Sequence, residues 1–175
     1  RSTSTIIWEI EKIKGSRFIA QVSPVRTAAE AEAILAEIRA QHRSAGHHCF
    51  AYRLAAGQQR VSDDGEPRGS AGAPILTRIE HLELVDTLVV VTRYFGGVKL
   101  GVGGLIRAYG GAAGQALEQC ILEEVQPGVL VRLDYMYADT AAVERCCNTV
   151  QHEVIEETFM TSVSRTIWVA LSDRQ

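Results

Sequence analysis

No apolar run in the sequence approaches the 18 or so residues of a bilayer-spanning helix, and no N-terminal stretch has the apolar centre of a secretion signal. The chain is therefore expected off the membrane, in the cytoplasm. It begins at Arg1 and not at Met, so some residues are expected ahead of it. Cysteine is scarce, at four residues (Cys49, Cys120, Cys146, Cys147), which excludes a disulfide scaffold. No Cys-x-x-Cys pair exists to complete a structural zinc site. Charge of either sign is not in large excess: 18 basic against 21 acidic residues give −3, which excludes coating of nucleic acid by bulk charge. Internal repeats and low-complexity tracts are also lacking. The apolar content of 46% excludes a disordered chain, and 175 residues suit one domain or two small ones.

One further absence is local. Between Thr87 and Leu117 there is no Asp or Glu, whereas Arg93, Lys99 and Arg107 are present. The same region concentrates glycine: eight of the fifteen, Gly96 to Gly114, fall within nineteen residues. Charge is uneven on a larger scale too. Residues 1–125 hold 14 basic and 14 acidic groups, and residues 126–175 hold 4 and 7, so an anion site belongs to the first part.

Periodicity predicts strands over Thr5–Ile10 and Phe18–Val25, then a helix opened by the capping box Thr27-Ala-Ala-Glu30 and a strand over His47–Leu54. Gly57–Pro74 has no apolar period and reads as a long loop, the kind that carries function. A short helix over Ile75–Leu84 follows. Thr87–Phe95 is a strand whose run Leu88-Val89-Val90-Val91 suits burial on both faces. A helix is predicted over Gly103–Cys120. Pro127-Gly128 marks a boundary, giving domains 1–125 and 126–175. Beyond it the order is β-α-β-β, with Cys146 and Cys147 expected in the core of an amphipathic helix. That order is the first part of a ferredoxin-like unit, expected to lack one helix and one strand.

Three segments could carry chemistry. The first runs from Arg93-Tyr94-Phe95-Gly96-Gly97 through Lys99, Gly101, Gly103 and Gly104 to Arg107. A strand, a glycine turn and a helix start offer free N–H groups and a positive dipole end to an anion, and Tyr94, Phe95 and Tyr109 supply rings for stacking. Neither a P-loop nor a dinucleotide fingerprint fits: Val102-Gly103 follows Gly101 where Lys-Ser/Thr belongs, and Ile106 stands where the third Gly belongs. The competing reading is packing, since Gly110-x-x-x-Gly114 lets a helix lie close to a sheet. The second segment is the loop with Asp63, Asp64, Gly65, Glu66 and Arg68. It could bind a hard cation, serve as acid and base, hold structure, or meet a partner. The third is His47-His48-Cys49, where strand alternation sends His47 and Cys49 to one face and His48 to the other, so no single zinc takes all three. Cys49 is a candidate nucleophile or a small buried hydrophobe.

Ala45-Gly46-His47-His48-Cys49, then Ser62-Asp63-Asp64-Gly65-Glu66-Pro67, then Arg93-Tyr94-Phe95-Gly96-Gly97 with Leu100-Gly101, Gly103-Gly104-Leu105 and Ala108-Tyr109 resemble the bacterial YigZ proteins. Those belong with the eukaryotic IMPACT proteins. The resemblance covers about residues 10 to 120, with three separate motifs in the family's order. It implies an α+β chain: a first domain with the β-α fold of the second domain of ribosomal protein S-five, shared by domain IV of elongation factor G, and a ferredoxin-like second domain similar to that factor's domain V, partly present here. It also implies RNA or ribosome binding, inferred in the family from fold. Eukaryotic members restrain a starvation-responsive kinase through a further N-terminal domain outside the resemblance, so that role is not carried over. The preferred expectation is a non-catalytic module, with no cofactor and no metal, that binds RNA or the ribosome. The alternative is an enzyme on a phosphorylated small molecule, using Asp63, Asp64 or Glu66. A protein-interaction domain is the third reading.

Overall fold

Two hairpins and a buried central strand build the first unit. In the computed structural model, which describes residues 1–125 and 128–171, the chain divides into two compact units, Arg1–Glu124 and Val125–Gln175. The first contains β1 (Ile6–Glu9), β2 (Arg17–Pro24), β3 (His47–Arg53), β4 (Gln59–Ser62) and β5 (Thr87–Tyr94), with helices α1 (Ala28–Gln41), α2 (Gly72–His81) and α3 (Val102–Glu118). The sheet order is β1-β2-β5-β3-β4, and every neighbouring pair is antiparallel.

Strand β5 carries the run expected to be buried on both sides, and it is. Val89 and Val91 face a core formed with α2 and α3, while Leu88 and Val90 face a second core under α1. Fully buried apolar side chains of this size each contribute roughly 1.5–3 kcal/mol, so this one strand anchors both layers. Thr27 caps α1 as expected, accepting the Glu30 N–H at 3.2 Å. The Glu30 carboxylate accepts from Arg26 N–H at 2.7 Å, one residue before the cap.

The loop over Gly57–Pro74 needs correction. It holds an edge strand, β4, and the first turn of α2. The segment Gln59-Arg60-Val61-Ser62 is polar and lies at the sheet margin, so it shows no alternation. Helix α2 starts at Gly72, with no cap from its own N-cap residue, Ala71. A carboxylate from eight residues upstream, Asp63, supplies the missing acceptor.

The second unit contains β6 (Gly128–Tyr135), α4 (Thr140–Cys147), β7 (His152–Phe159) and β8 (Val163–Ala170). Strand β8 lies between β6 and β7 and is antiparallel to both, so β6 and β7 run parallel. This is the split β-α-β arrangement of a ferredoxin-like sheet. Pro127 of the expected boundary lies outside the described residues, and Gly128 opens β6. Cys147 is buried as expected, but Cys146 is exposed. One helix against a three-stranded sheet buries only one of two adjacent positions. Among the described residues no helix is long and apolar enough to cross a membrane.

Candidate functional site

The site is built where β5 ends. Arg93, expected to contact phosphate, instead points inward and is 4% exposed. Its guanidinium donates to Glu66 Oε1 at 2.6 Å and to Ser16 Oγ at 3.3 Å. It also lies over two rings, Phe18 and Phe95, at 5.6 Å from each centroid. Its buried Nε has no hydrogen-bond partner. A cation this enclosed and already paired is not presented to a nucleic-acid backbone, which corrects the expectation for Arg93. Tyr94 braces the turn: its hydroxyl lies 2.8 Å from His42 Nδ1, and Arg17 covers its ring at 5.2 Å.

The carboxylates of the acidic loop are committed to protein partners as well. Asp63 accepts N–H bonds from Gly69 at 2.8 Å, Ala71 at 3.0 Å and Gly72 at 2.9 Å. Burial pushes its carboxyl up, but these three donors and the nearby Arg68 charge outweigh it and hold the group below the usual aspartate range. Asp64 accepts from His48 N–H at 2.7 Å and from Arg39 at 3.0 Å. Glu66 accepts from Tyr109 Oη at 2.7 Å in addition to Arg93, with His47 Nε2 at 3.8 Å. Gly65 and Gly69 have φ of 87° and 77°, so the loop's two reversals require residues that tolerate the left-handed region. Arg68 is exposed.

The loop and the glycine turn are thus brought together, through Glu66 on Arg93 and Tyr109. What they share is structure. Each of the three carboxylates already holds protein donors. Among the described residues no group of three or more His, Cys, Asp or Glu is arranged to hold a metal. His47 and Cys49 do share one face and His48 lies on the other. Burial lowers the His48 imidazole, against the opposing pull of Asp64. The Cys49 thiol is fully buried, donates to Asp63 O at 3.0 Å, and is pushed up to about 12 by burial. A thiol that stays protonated at neutral pH is a poor nucleophile, which corrects Cys49 as a catalytic candidate.

The outward face is of opposite character. Gly97 and Gly101 adopt φ of 87° and 72° with open space around them, so backbone conformation, not crowding, selects glycine there. Gly101 is the N-cap of α3 and offers no side-chain acceptor, and the first turn holds no acid. Lys99, Gly103 and Arg107 are exposed, and Gly104 lies over Leu100. Around them stand four exposed apolar side chains, Phe95, Val98, Val102 and Ile106.

Gly96 has a different reason. Its N–H donates to Ser16 Oγ at 3.1 Å, and it lies against the Gly15 backbone of the β1–β2 hairpin, where a Cβ on Gly15 would sit 2.8 Å from Gly96 O. That hairpin also holds the exposed Lys12 and Lys14. Sequence reasoning missed this approach, because no local signal joins residue 15 to residue 96. The expected helix-to-sheet packing at Gly110 and Gly114 also needs correction. Gly110 faces Pro74 and Arg78 of α2 and Gly114 faces Arg78, so they serve helix-to-helix approach.

Comparison with known proteins gives this arrangement its relatives. Residues 14–117 match the model of the Impact N-terminal domain. The chain belongs to the IMPACT family. An IMPACT family member of Haemophilus influenzae is 37% identical over 166 residues, covering 91% of this chain and 79% of that protein. The IMPACT family member YigZ of Escherichia coli is 35% identical over 158 residues, covering 88% and 78%. A crystal structure described only as that of a hypothetical protein superposes with a TM-score of 0.76 at 32% identity, covering 96% of this chain and 83% of that one. All three motifs of this IMPACT chain, around His48, Asp63–Glu66 and Arg93–Gly104, meet at the end of β5.

Proposed function

We propose that this IMPACT-family chain is a non-catalytic module that binds RNA, with the ribosome as the setting. One observation carries the reading. At the glycine turn Lys99 and Arg107 are exposed and the start of α3 has no side-chain cap and no acid, while every carboxylate of the adjoining loop is already bonded to protein donors. Lys99, Arg107, Lys12 and Lys14 take the role first expected of Arg93. Gly97, Gly101, Gly103 and Gly104 let a phosphate approach the backbone closely. The likeness of the first unit's expected fold to a domain of an elongation factor favours ribosomal RNA over other nucleic acid.

The reading of an enzyme on a phosphorylated small molecule has less support, since Asp63, Asp64 and Glu66 are already occupied. The test is ribosome co-sedimentation and RNA filter binding over stepped salt, with wild type beside a Lys99→Glu, Arg107→Glu double variant. If both contacts are to phosphates of a single strand, the log–log salt slope of the variant flattens by about 1.4. Absence of RNA binding at low salt, or binding unchanged in the double variant, refutes the proposal.

A further inference from the structure

Phe95 is the one large ring that leaves the protein at this turn, at 56% exposure. Its placement is not that of a stray surface aromatic. Arg93 lies over the ring at 5.6 Å and is itself fixed by Glu66 and Ser16. Phe18 lies at 5.6 Å from the same guanidinium, and Phe18 meets the Tyr109 ring edge-on at 5.3 Å. The order from core to surface is Tyr109, Phe18, Arg93, Phe95. Each member touches the next, so the exposed ring rests on a guanidinium that is itself fixed by Glu66 and Ser16.

A half-exposed ring with a cation at its back and basic groups around it has the features of a stacking platform. A planar nucleobase on the free side of Phe95 would extend the ladder by one step, while Lys99 and Arg107 hold the adjoining phosphates. A paired base within a duplex has no free face to offer, so the platform also selects the form of the ligand. We infer that Phe95 stacks on an unpaired base, and that the ligand of this face is single-stranded RNA and not duplex. The inference rests on the RNA-binding reading above and deepens it. An acidic peptide is the competing occupant of an apolar and basic patch. It would use the bulk of Phe95 but not its π face.

The test uses the full chain and fluorescence anisotropy at low salt, with a short single-stranded oligouridylate and a duplex RNA of equal length. Wild type is expected to bind the single strand more tightly. Phe95→Ala and Phe95→Leu are both expected to weaken single-strand binding by about 5- to 150-fold and to leave duplex binding unchanged, whereas Phe95→Tyr restores the single-strand affinity. Thermal melts of all three variants check that the unit stays folded. Duplex bound as tightly as single strand overturns the inference. So does single-strand binding by Phe95→Leu equal to that of wild type, a result that assigns the ring to apolar contact alone. In either case loss of binding in the Lys99→Glu, Arg107→Glu variant keeps the RNA reading standing. If wild type binds neither RNA, both the reading and the inference fall.

Discussion

The Glu66–Arg93 pair offers a sharp test of the view that the acidic loop is structural. Both side chains are enclosed, at 4% and 5% exposure, and their ion pair is 2.6 Å long. Glu66→Ala leaves a buried guanidinium with only Ser16 Oγ as acceptor, and removes the acceptor of the buried Tyr109 hydroxyl. Removing one partner of a buried pair costs about 3–5 kcal/mol, because the surviving charge stays desolvated. Spread over the 124 residues of the first unit, that loss lowers its melting temperature by about 10–20 °C. Glu66→Gln keeps an oxygen for one of the two donors and is expected to lose less. Replacing both members, with Glu66→Leu and Arg93→Met, removes the stranded charge and is expected to recover much of the stability. Urea unfolding followed by circular dichroism reads all four proteins. A Glu66→Ala variant within about 1 kcal/mol of wild type would refute the structural assignment and return Glu66 to the chemical candidates.

Gly96→Ala is expected to displace the β1–β2 hairpin, since the added methyl falls on the Gly15 and Ser16 backbone; hydrogen exchange should rise at residues 13–18 ahead of the rest of the sheet, and unchanged exchange would count against the close approach. Asp63→Ala strands the N–H groups of Ala71 and Gly72 at the start of α2, at a cost of about 2–5 kcal/mol at neutral pH, measurable by urea unfolding. The same carboxyl sets a pH dependence. Its folded pKa lies below its unfolded value, so its stabilisation is complete above about pH 4 and is lost as pH falls through the lower folded value. Acid titration of unfolding should show this limb in wild type and a weaker one in Asp63→Asn; equal limbs would refute the assignment.

Much of the fold is legible in the sequence because it is written in local pattern. The Thr27 cap, the doubly buried Leu88–Val91 run and the β-α-β-β order of the second unit each depend on residues a few positions apart. The edge strand β4 is not legible, since a polar strand at a margin has no buried face to impose alternation. The start of α2 is missed for a similar reason: its cap comes from Asp63, outside the helix. At the site the motifs point to the correct place, but residue type alone does not tell inward from outward. Arg93 and Lys99 both read as free cations. Only the approach of Glu66, 27 residues away, and of Ser16, 77 residues away, shows that one of them is spent inside the protein. Cys49 reads as a nucleophile or a hydrophobe until its burial decides the matter.

The strand order has a consequence for synthesis. Strands β2 and β3 each make a local hairpin, β2 with β1 and β3 with β4, but neither hairpin touches the other within the sheet. Strand β5 joins them, and it leaves the ribosome only after the first 86 residues. Until then the nascent chain carries two half-sheets with open edges, the state most exposed to wrong pairing. The glycine turn and α3 follow directly behind β5. The surface around the glycine turn therefore cannot exist before the sheet closes, and a chain stalled short of residue 95 has neither.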